Sequence, residues 1–200
     1  YFATRNARHV VISTNTINLQ DQLFNKDIPD LQRILPLEFK AVLLKGRSNY
    51  LCLRRFGAFH HAPNLTTDEV RLLAKILVWL PQTSTGDRAE LSLMQEEQRL
   101  WSKVCAERET CLGDRCKHRQ RGECFLYHAR GEAESAHLII VNHALLLSDL
   151  ATENRVLPEY DHLVVDEAHH LEARATEQFG FSIDQGTFRT LFVSLSQPLG

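Results

Sequence analysis

Two carboxylates stand side by side at Asp166-Glu167, directly after the apolar run His162-Leu163-Val164-Val165 and just before Ala168-His169. A short buried strand ending in adjacent acids is how nucleotide-hydrolysing motors hold magnesium and aim a water. In that arrangement Asp166 binds Mg²⁺ through the ion's water shell. Glu167 polarises the attacking water, and His169 reports the nucleotide state to the rest of the machine. The same residues also suit an ordinary acidic strand-to-helix turn, because carboxylates favour helix N-termini. Structural context decides between the two.

The cysteines are the second group with chemical content. Cys111-x4-Cys116-x7-Cys124 is a compact trio, and Cys52 lies far upstream. Four thiolates can close around an iron–sulfur cluster or around zinc. Structural zinc sites usually show two short paired knuckles, so a three-plus-one layout favours iron–sulfur by spacing. Unligated buried thiols explain a polar, Gly-containing loop poorly. Cys105, beside Val104, reads as a small core residue, and His118 as a solvated loop residue. With no export signal, five cysteines point to a reducing compartment and to metal or redox chemistry.

A third group could touch nucleic acid. Val10-Val11-Ile12-Ser13 delivers Thr14, Asn15 and Thr16 to a strand end, where hydroxyls, an amide and a helix N-terminus suit phosphate oxygens. Plain N-capping by Thr14 or Thr16 is the competing reading. Lys45, Arg47 and Tyr50 follow the next apolar run: two cations for phosphates and a ring for bases. Tyr50 could instead be buried. Asn142-His143 ends a further run and could contact DNA or cap a helix. His60-His61 reads as surface, and Trp79 and Trp101 as core.

The bulk properties set the frame. At 44% hydrophobic and 24% charged, the 200 residues have an ordinary globular composition. No apolar run approaches the roughly 18 residues of a membrane span. The formal net charge of −2 hides a segregation. Phe39 to His61 carries Lys40, Lys45, Arg47, Arg54 and Arg55 and no acid, whereas Asp149 to Asp184 carries nine acids against Arg155 and Arg174. Such asymmetry fits a polyanion contact in the first block and a metal-centred site in the second, or simply two solvated faces. The chain begins at Tyr1 with Met94 its only methionine, as expected for an internal piece of a longer protein.

These residues must be positioned by a sheet. His9–Ser13, Lys40–Lys45, Leu138–Asn142 and His162–Asp166 read as short buried parallel strands, and the βα alternation argues for an α/β layer fold. A helix over Ile17–Asn25, capped by Thr16, and a second one from Pro29 separate the first two strands. The alternation then breaks. A capping box Thr66–Glu69 opens a helix that stops at Pro81. Another is expected from about Asp87 to Glu107, followed by the cysteine loop, and a last one over Glu167–Gln178. Residues 181–199 show no clear period.

In combination, the segments resemble the DinG-type branch of the iron–sulfur, XPD-like superfamily 2 DNA helicases. The match rests on Ile12-Ser13-Thr14-Asn15-Thr16-Ile17-Asn18-Leu19-Gln20, on Lys45 through Cys52, on the cysteine trio, on Ile139-Ile140-Val141-Asn142-His143, and on Asp166-Glu167-Ala168-His169 as a DEAH box. The resemblance implies a RecA-like parallel sheet with helices on both faces, interrupted by a mainly helical iron–sulfur insertion. Motor domain 1 would occupy 1–46 and 131–178, the cluster domain 47–130, and an arch-like insertion would begin over 179–200. It implies a 5′-to-3′ ATP-dependent DNA helicase of replication or repair, with ATP, Mg²⁺ and a 4Fe–4S cluster held by Cys52, Cys111, Cys116 and Cys124. Single-stranded DNA and junctions would be its substrates, a single-stranded DNA-binding protein a further partner, and the nucleoid-associated cytoplasm its place.

The sequence departs from that family in carrying no G-x-x-x-x-G-K-[ST] phosphate loop and no second motor domain. Without the loop lysine and the second domain's arginine, the transferring phosphoryl group loses its stabilisation, so this stretch alone is expected not to hydrolyse ATP. The competing reading is a non-catalytic, metal-stabilised DNA-binding module.

Overall fold

In the computed structural model, which describes residues 3–4, 9–152 and 156–180, the four apolar runs become four parallel strands. They are β1 (Val10–Thr14), β2 (Ala41–Leu43), β3 (Leu138–Asn142) and β4 (His162–Val165), in the order β2-β3-β1-β4. The register pairs Leu43 with Ile140, Thr14 with Asn142, and Ser13 with Val165. All four C-terminal ends therefore share one edge, and Asp166 N–H continues the ladder by donating to Ser13 O at 2.8 Å. The central strands are buried as a parallel sheet requires: Val11, Ile139, Ile140 and Val141 are fully covered. β4 differs. Its Leu163 and Val164 remain 42% and 50% exposed, and β1 is its one partner among the described residues.

Helix α1 (Ile17–Gln22) starts where Thr16 accepts from Leu19 N–H, passes through a π turn at Leu23–Asp27, and runs into α2 (Ile28–Ile34). The interruption after β2 contains α3 (Leu53–His60), α4 (Thr67–Trp79), α5 (Gln95–Leu100), α6 (Lys117–Gln120) and α7 (Phe125–Glu134). After β3 comes α8 (His143–Ala151), and after β4 comes α9 (Leu171–Phe179). None of the described helices is long and apolar enough to cross a membrane.

The interruption has its own core, in which Leu51, Phe56, Leu72, Ile76, Trp79 and Trp101 pack together with Cys105. The sheet core is a separate cluster around Val11, Leu44, Ile139 and Leu146. The two are joined at Tyr50–Cys52, which is held by Leu51 N–H to Gly86 O at 2.9 Å, Cys52 N–H to Val104 O at 2.9 Å, and Ala106 N–H to Tyr50 O at 2.8 Å. Gly86 is required there: its φ is +65°, and a Cβ would come within 2.2 Å of the Phe125 ring. Lys45 is the second staple. Its ammonium is buried and bonds Asp21 of α1 at 3.0 Å and Asp87 of the insertion at 2.7 Å. Burial alone pulls its pKa down, but the two carboxylates outweigh that and the net shift is upward.

Three helix expectations need correcting. The helix expected over Asp87–Glu107 is broken into a turn at Arg88–Glu90, the short α5, and a turn at Trp101–Lys103. Side-chain contacts cause the break: Glu90 accepts from Trp79 Nε1 at 2.8 Å, and fully buried Glu97 accepts from Met94 N–H at 2.7 Å, restarting the helix. The helix expected from Glu167 starts instead at Leu171, after a left-handed residue and one tight turn. The π turn interrupts the one expected over Ile17–Asn25. Residues 181–199 and most of 1–8 lie outside the described residues.

The capping box forms as expected: Thr66 N–H donates to Glu69 Oε2 at 2.7 Å, and Lys103 bonds Glu69 Oε1 at 2.6 Å. Lys103, with the Thr66 cap, holds the Glu69 carboxyl down to about 2. A depressed folded pKa contributes stability above the unfolded value, about 4.3, that is lost as pH falls toward about 2. The protection factors of the α4 amides, which are corrected for the intrinsic pH dependence of exchange, should therefore fall over that window. Glu69→Gln should remove the acid-sensitive part; an unchanged profile in the variant would assign it to other carboxylates.

Candidate functional site

β4 delivers Asp166 and Glu167 to the C-terminal edge of the sheet, where open α/β folds bind ligands. Both acids are exposed. Glu167 has φ 52° and ψ 41°, the left-handed region that non-glycine residues rarely adopt and that clusters at functional sites. One tight turn, Ala168–His170, follows, closed by His170 N–H to Glu167 O at 2.9 Å. This backbone brings Glu167 Oε2 to 3.4 Å from His169 Nε2 and 4.0 Å from His170 Nε2.

His143 lies under this turn. It is fully buried, its Nδ1 is 2.7 Å from Ser13 Oγ, and its Nε2 faces the backbone carbonyls of Asp166 and Glu167 without a well-formed hydrogen bond. Burial pushes its pKa down, against the pull of those carbonyls. The expectation that His143 touches DNA is therefore corrected: a ring with no exposed surface is a strut between β1, α8 and the acidic turn. A second link runs along the surface, from Arg174 Nε of α9 to Asn15 Oδ1 at 3.0 Å. Sequence reading missed this pair because its partners are far apart in the chain.

The other residues picked for DNA divide by what already occupies them. Thr16 caps α1, buried Thr14 Oγ1 donates to Thr16 O at 3.2 Å, and Asn142 Oδ1 caps α8 by accepting from Leu145 N–H at 2.8 Å. Lys45 is the buried staple described above. Tyr50 is also buried, its hydroxyl accepting from Lys45 N–H at 3.1 Å; burial pushes its pKa up to about 12. These two are packing residues here, which corrects their assignment to an open strand path. Arg47 is different, because none of the described acids pairs with it.

Arg47 lines two adjoining clefts of ≈ 300 and ≈ 370 Å³ together with Arg130; the first also takes in Asn142 and the second Arg108. Neither Arg108 nor Arg130 has an ion pair with a described acid. Burial, then repulsion from Arg47, lowers the Arg130 pKa. A guanidinium does not deprotonate in proteins, so this penalty marks a positive site suited to an anion. Sequence spacing offered one hint of Arg130: it lies one helical turn after buried Leu126, on the inward face of α7.

Three of the four candidate cysteines precede helices: Cys52 before α3, Cys116 before α6 and Cys124 before α7. Cys111 is exposed and close enough to Arg130 to act on its charge. Burial raises the Cys124 thiol pKa, and repulsion from Cys52 and Cys116 adds to this against the amides of Tyr127 and Leu126. Thiolates gathered in this way need a cation between them, and helix-terminal amides favour thiolate sulfur. The donor set therefore fits a metal group. Among the described residues no three sulfurs lie within 4.8 Å of one another. Tetrahedral zinc, with Zn–S of about 2.3 Å, would set them about 3.8 Å apart. Cys105 is buried in the core of the insertion.

The DEAD_2 family model matches residues 89–188, half of the chain. Among curated proteins, the chain is 36% identical over 196 residues to the Bacillus subtilis "3'-5' exonuclease DinG", covering 98% of this chain and 20% of that protein. It is 35% identical over 189 residues to the Escherichia coli "ATP-dependent DNA helicase YoaA", covering 90% and 29%. It is 40% identical over 186 residues to the Mycobacterium tuberculosis H37Rv "ATP-dependent helicase DinG", covering 84% and 28%. The chain thus spans under a third of the length of each of these relatives.

Proposed function

Because the chain belongs to the DEAD_2 family, we propose that it is the part of an ATP-dependent DNA helicase's first motor domain that joins nucleotide chemistry to the DNA path. The observation that carries this reading is the placement of Asp166 and Glu167 at the shared C-terminal edge of the sheet, beside the ends of β1 and β3. Asp166 holds the water shell of magnesium; the ion, when bound, neutralises charge on the phosphate oxygens. Glu167 orients the attacking water and accepts its proton, and His169 couples the turn to the second motor domain. Among the described residues no strand pairs with the outer edge of β4, whose Leu163 and Val164 are exposed, and this suits a neighbouring strand that carries the phosphate loop.

The DNA path in this reading crosses Arg47, Arg130 and Arg108, between the sheet edge and the cysteines. Residues 47–130 are the cluster domain, 1–46 and 131–178 the motor, and 179–200 the start of an arch. Cys52, Cys111, Cys116 and Cys124 hold a 4Fe–4S cluster; the three-plus-one spacing of these cysteines supports iron–sulfur over zinc. The exonuclease named for the Bacillus subtilis relative is not assigned to this stretch. Hydrolysis by two metals needs a paired set of ligands, and the one group of close metal-ligating side chains among the described residues is Glu167 with two histidines.

The test is strand separation by the full-length protein on duplexes with a 5′ tail, a 3′ tail or blunt ends. ATP-dependent unwinding from the 5′ tail alone is expected. Unwinding from the 3′ tail would reverse the polarity, and DNA binding without unwinding would return the non-catalytic module.

A further inference from the structure

We propose that Glu167, His169 and His170 form a binding site for zinc, and that its occupancy silences the acidic turn. The first half stands on the geometry; the second rests on the motor reading given above.

One ligand atom from each of the three side chains lies within 4.8 Å of the others, the one such group among the described residues. The Glu167 carboxylate is 3.4 Å from His169 Nε2 and 4.0 Å from His170 Nε2, and the two imidazole centroids are 4.0 Å apart. Zinc bonds nitrogen and carboxylate oxygen at about 2.0–2.2 Å, which places neighbouring donors of a tetrahedron about 3.3–3.6 Å apart. The shorter observed separation already matches, and the longer one needs only a small rotation of an exposed side chain. Neither imidazole has another hydrogen-bond partner among the described residues, so neither must give one up. The left-handed backbone at Glu167 is what turns its carboxylate back over the two rings.

The two faces of the turn differ in the ion they favour. Magnesium prefers octahedral oxygen and sheds water reluctantly. Imidazole suits zinc, copper and nickel. Asp166 therefore serves the hard ion through water, while the Glu-His-His face takes the softer one directly and leaves a fourth position to water. Zinc there takes one oxygen of the Glu167 carboxylate and draws negative charge from the other, so the carboxylate becomes a much weaker acceptor for the proton of an attacking water. The site is a point at which free zinc stops the motor while magnesium and nucleotide remain available.

The experiment uses the full-length protein with its cysteine metal already loaded, titrated with zinc by calorimetry. ATP turnover at saturating magnesium and single-stranded DNA is followed in parallel, each protein scaled to its own zinc-free rate. The wild type should bind one further zinc per chain. His170→Ala should bind it at least tenfold more weakly and need at least tenfold more zinc for half-inhibition. Equal zinc affinity in the two proteins overturns the site. Zinc bound with His170-dependent affinity but without effect on turnover overturns the silencing. A protein with no ATP turnover at all fails the motor reading instead, and the calorimetric comparison still decides the site.

Discussion

Glu167→Gln in the full-length protein should lower ATP turnover by about 10³-fold while single-stranded DNA affinity stays within about twofold. Loss of a positioned general base removes about 10²–10⁴ in rate, and a thousandfold loss corresponds to about 4 kcal/mol of barrier. The substitution isolates chemistry from folding for reasons visible in the site. Glu167 is exposed, its carboxylate faces the His169 and His170 rings, and glutamine keeps the shape. A binding defect of similar size would show that the turn contacts DNA. Unchanged turnover would remove Glu167 from the chemistry. Altered His143 packing would give a different signature, because a buried strut also loses stability when truncated.

Cys111→Ser is the second large effect. The variant, purified without oxygen, should lose most of its four irons per chain and the broad absorbance near about 400 nm expected of an iron–sulfur cluster. Cys111 is the right position because it is exposed, so serine there leaves the packing around Tyr50, Ala106 and Leu126 untouched. Cys105→Ser is the matched control: it lies in the core of the insertion and burial raises its pKa. It should keep its iron and lose stability instead, since it leaves a hydroxyl in an apolar cluster. Iron lost from the Cys105 variant, or kept by the Cys111 variant, would contradict the ligand set. A colourless wild type with stoichiometric zinc would replace the cluster with a structural knot.

The strands and their shared edge were legible because buried parallel strands are short apolar runs whatever surrounds them. Ile139-Ile140-Val141 cannot be placed on a surface, and the acids after Val165 must then emerge at the sheet edge. Side-chain duty was less legible. Lys45, Arg47 and Tyr50 look alike as a basic-aromatic cluster, yet Lys45 is neutralised by Asp21 and Asp87 and Tyr50 packs inside, leaving only Arg47 open to the cleft. The partners that decide this come from other segments of the chain. Arg108 was invisible for the same reason, as was the His143–Ser13 bond, and for Arg130 the spacing from Leu126 was the only hint. The break at Leu91–Met94 was missed because Glu90 and Glu97 read as helix formers, although Glu90 is committed to Trp79 and Glu97 to a buried contact with Met94 N–H.

The most direct measurement is steady-state ATP turnover by the full-length protein with and without single-stranded DNA. Turnover that requires magnesium and rises severalfold on adding DNA is the result that follows from an acidic turn braced against the β1 end by His143 and Arg174. Tight DNA binding with no turnover under any condition would contradict the account and leave a non-catalytic nucleic-acid module.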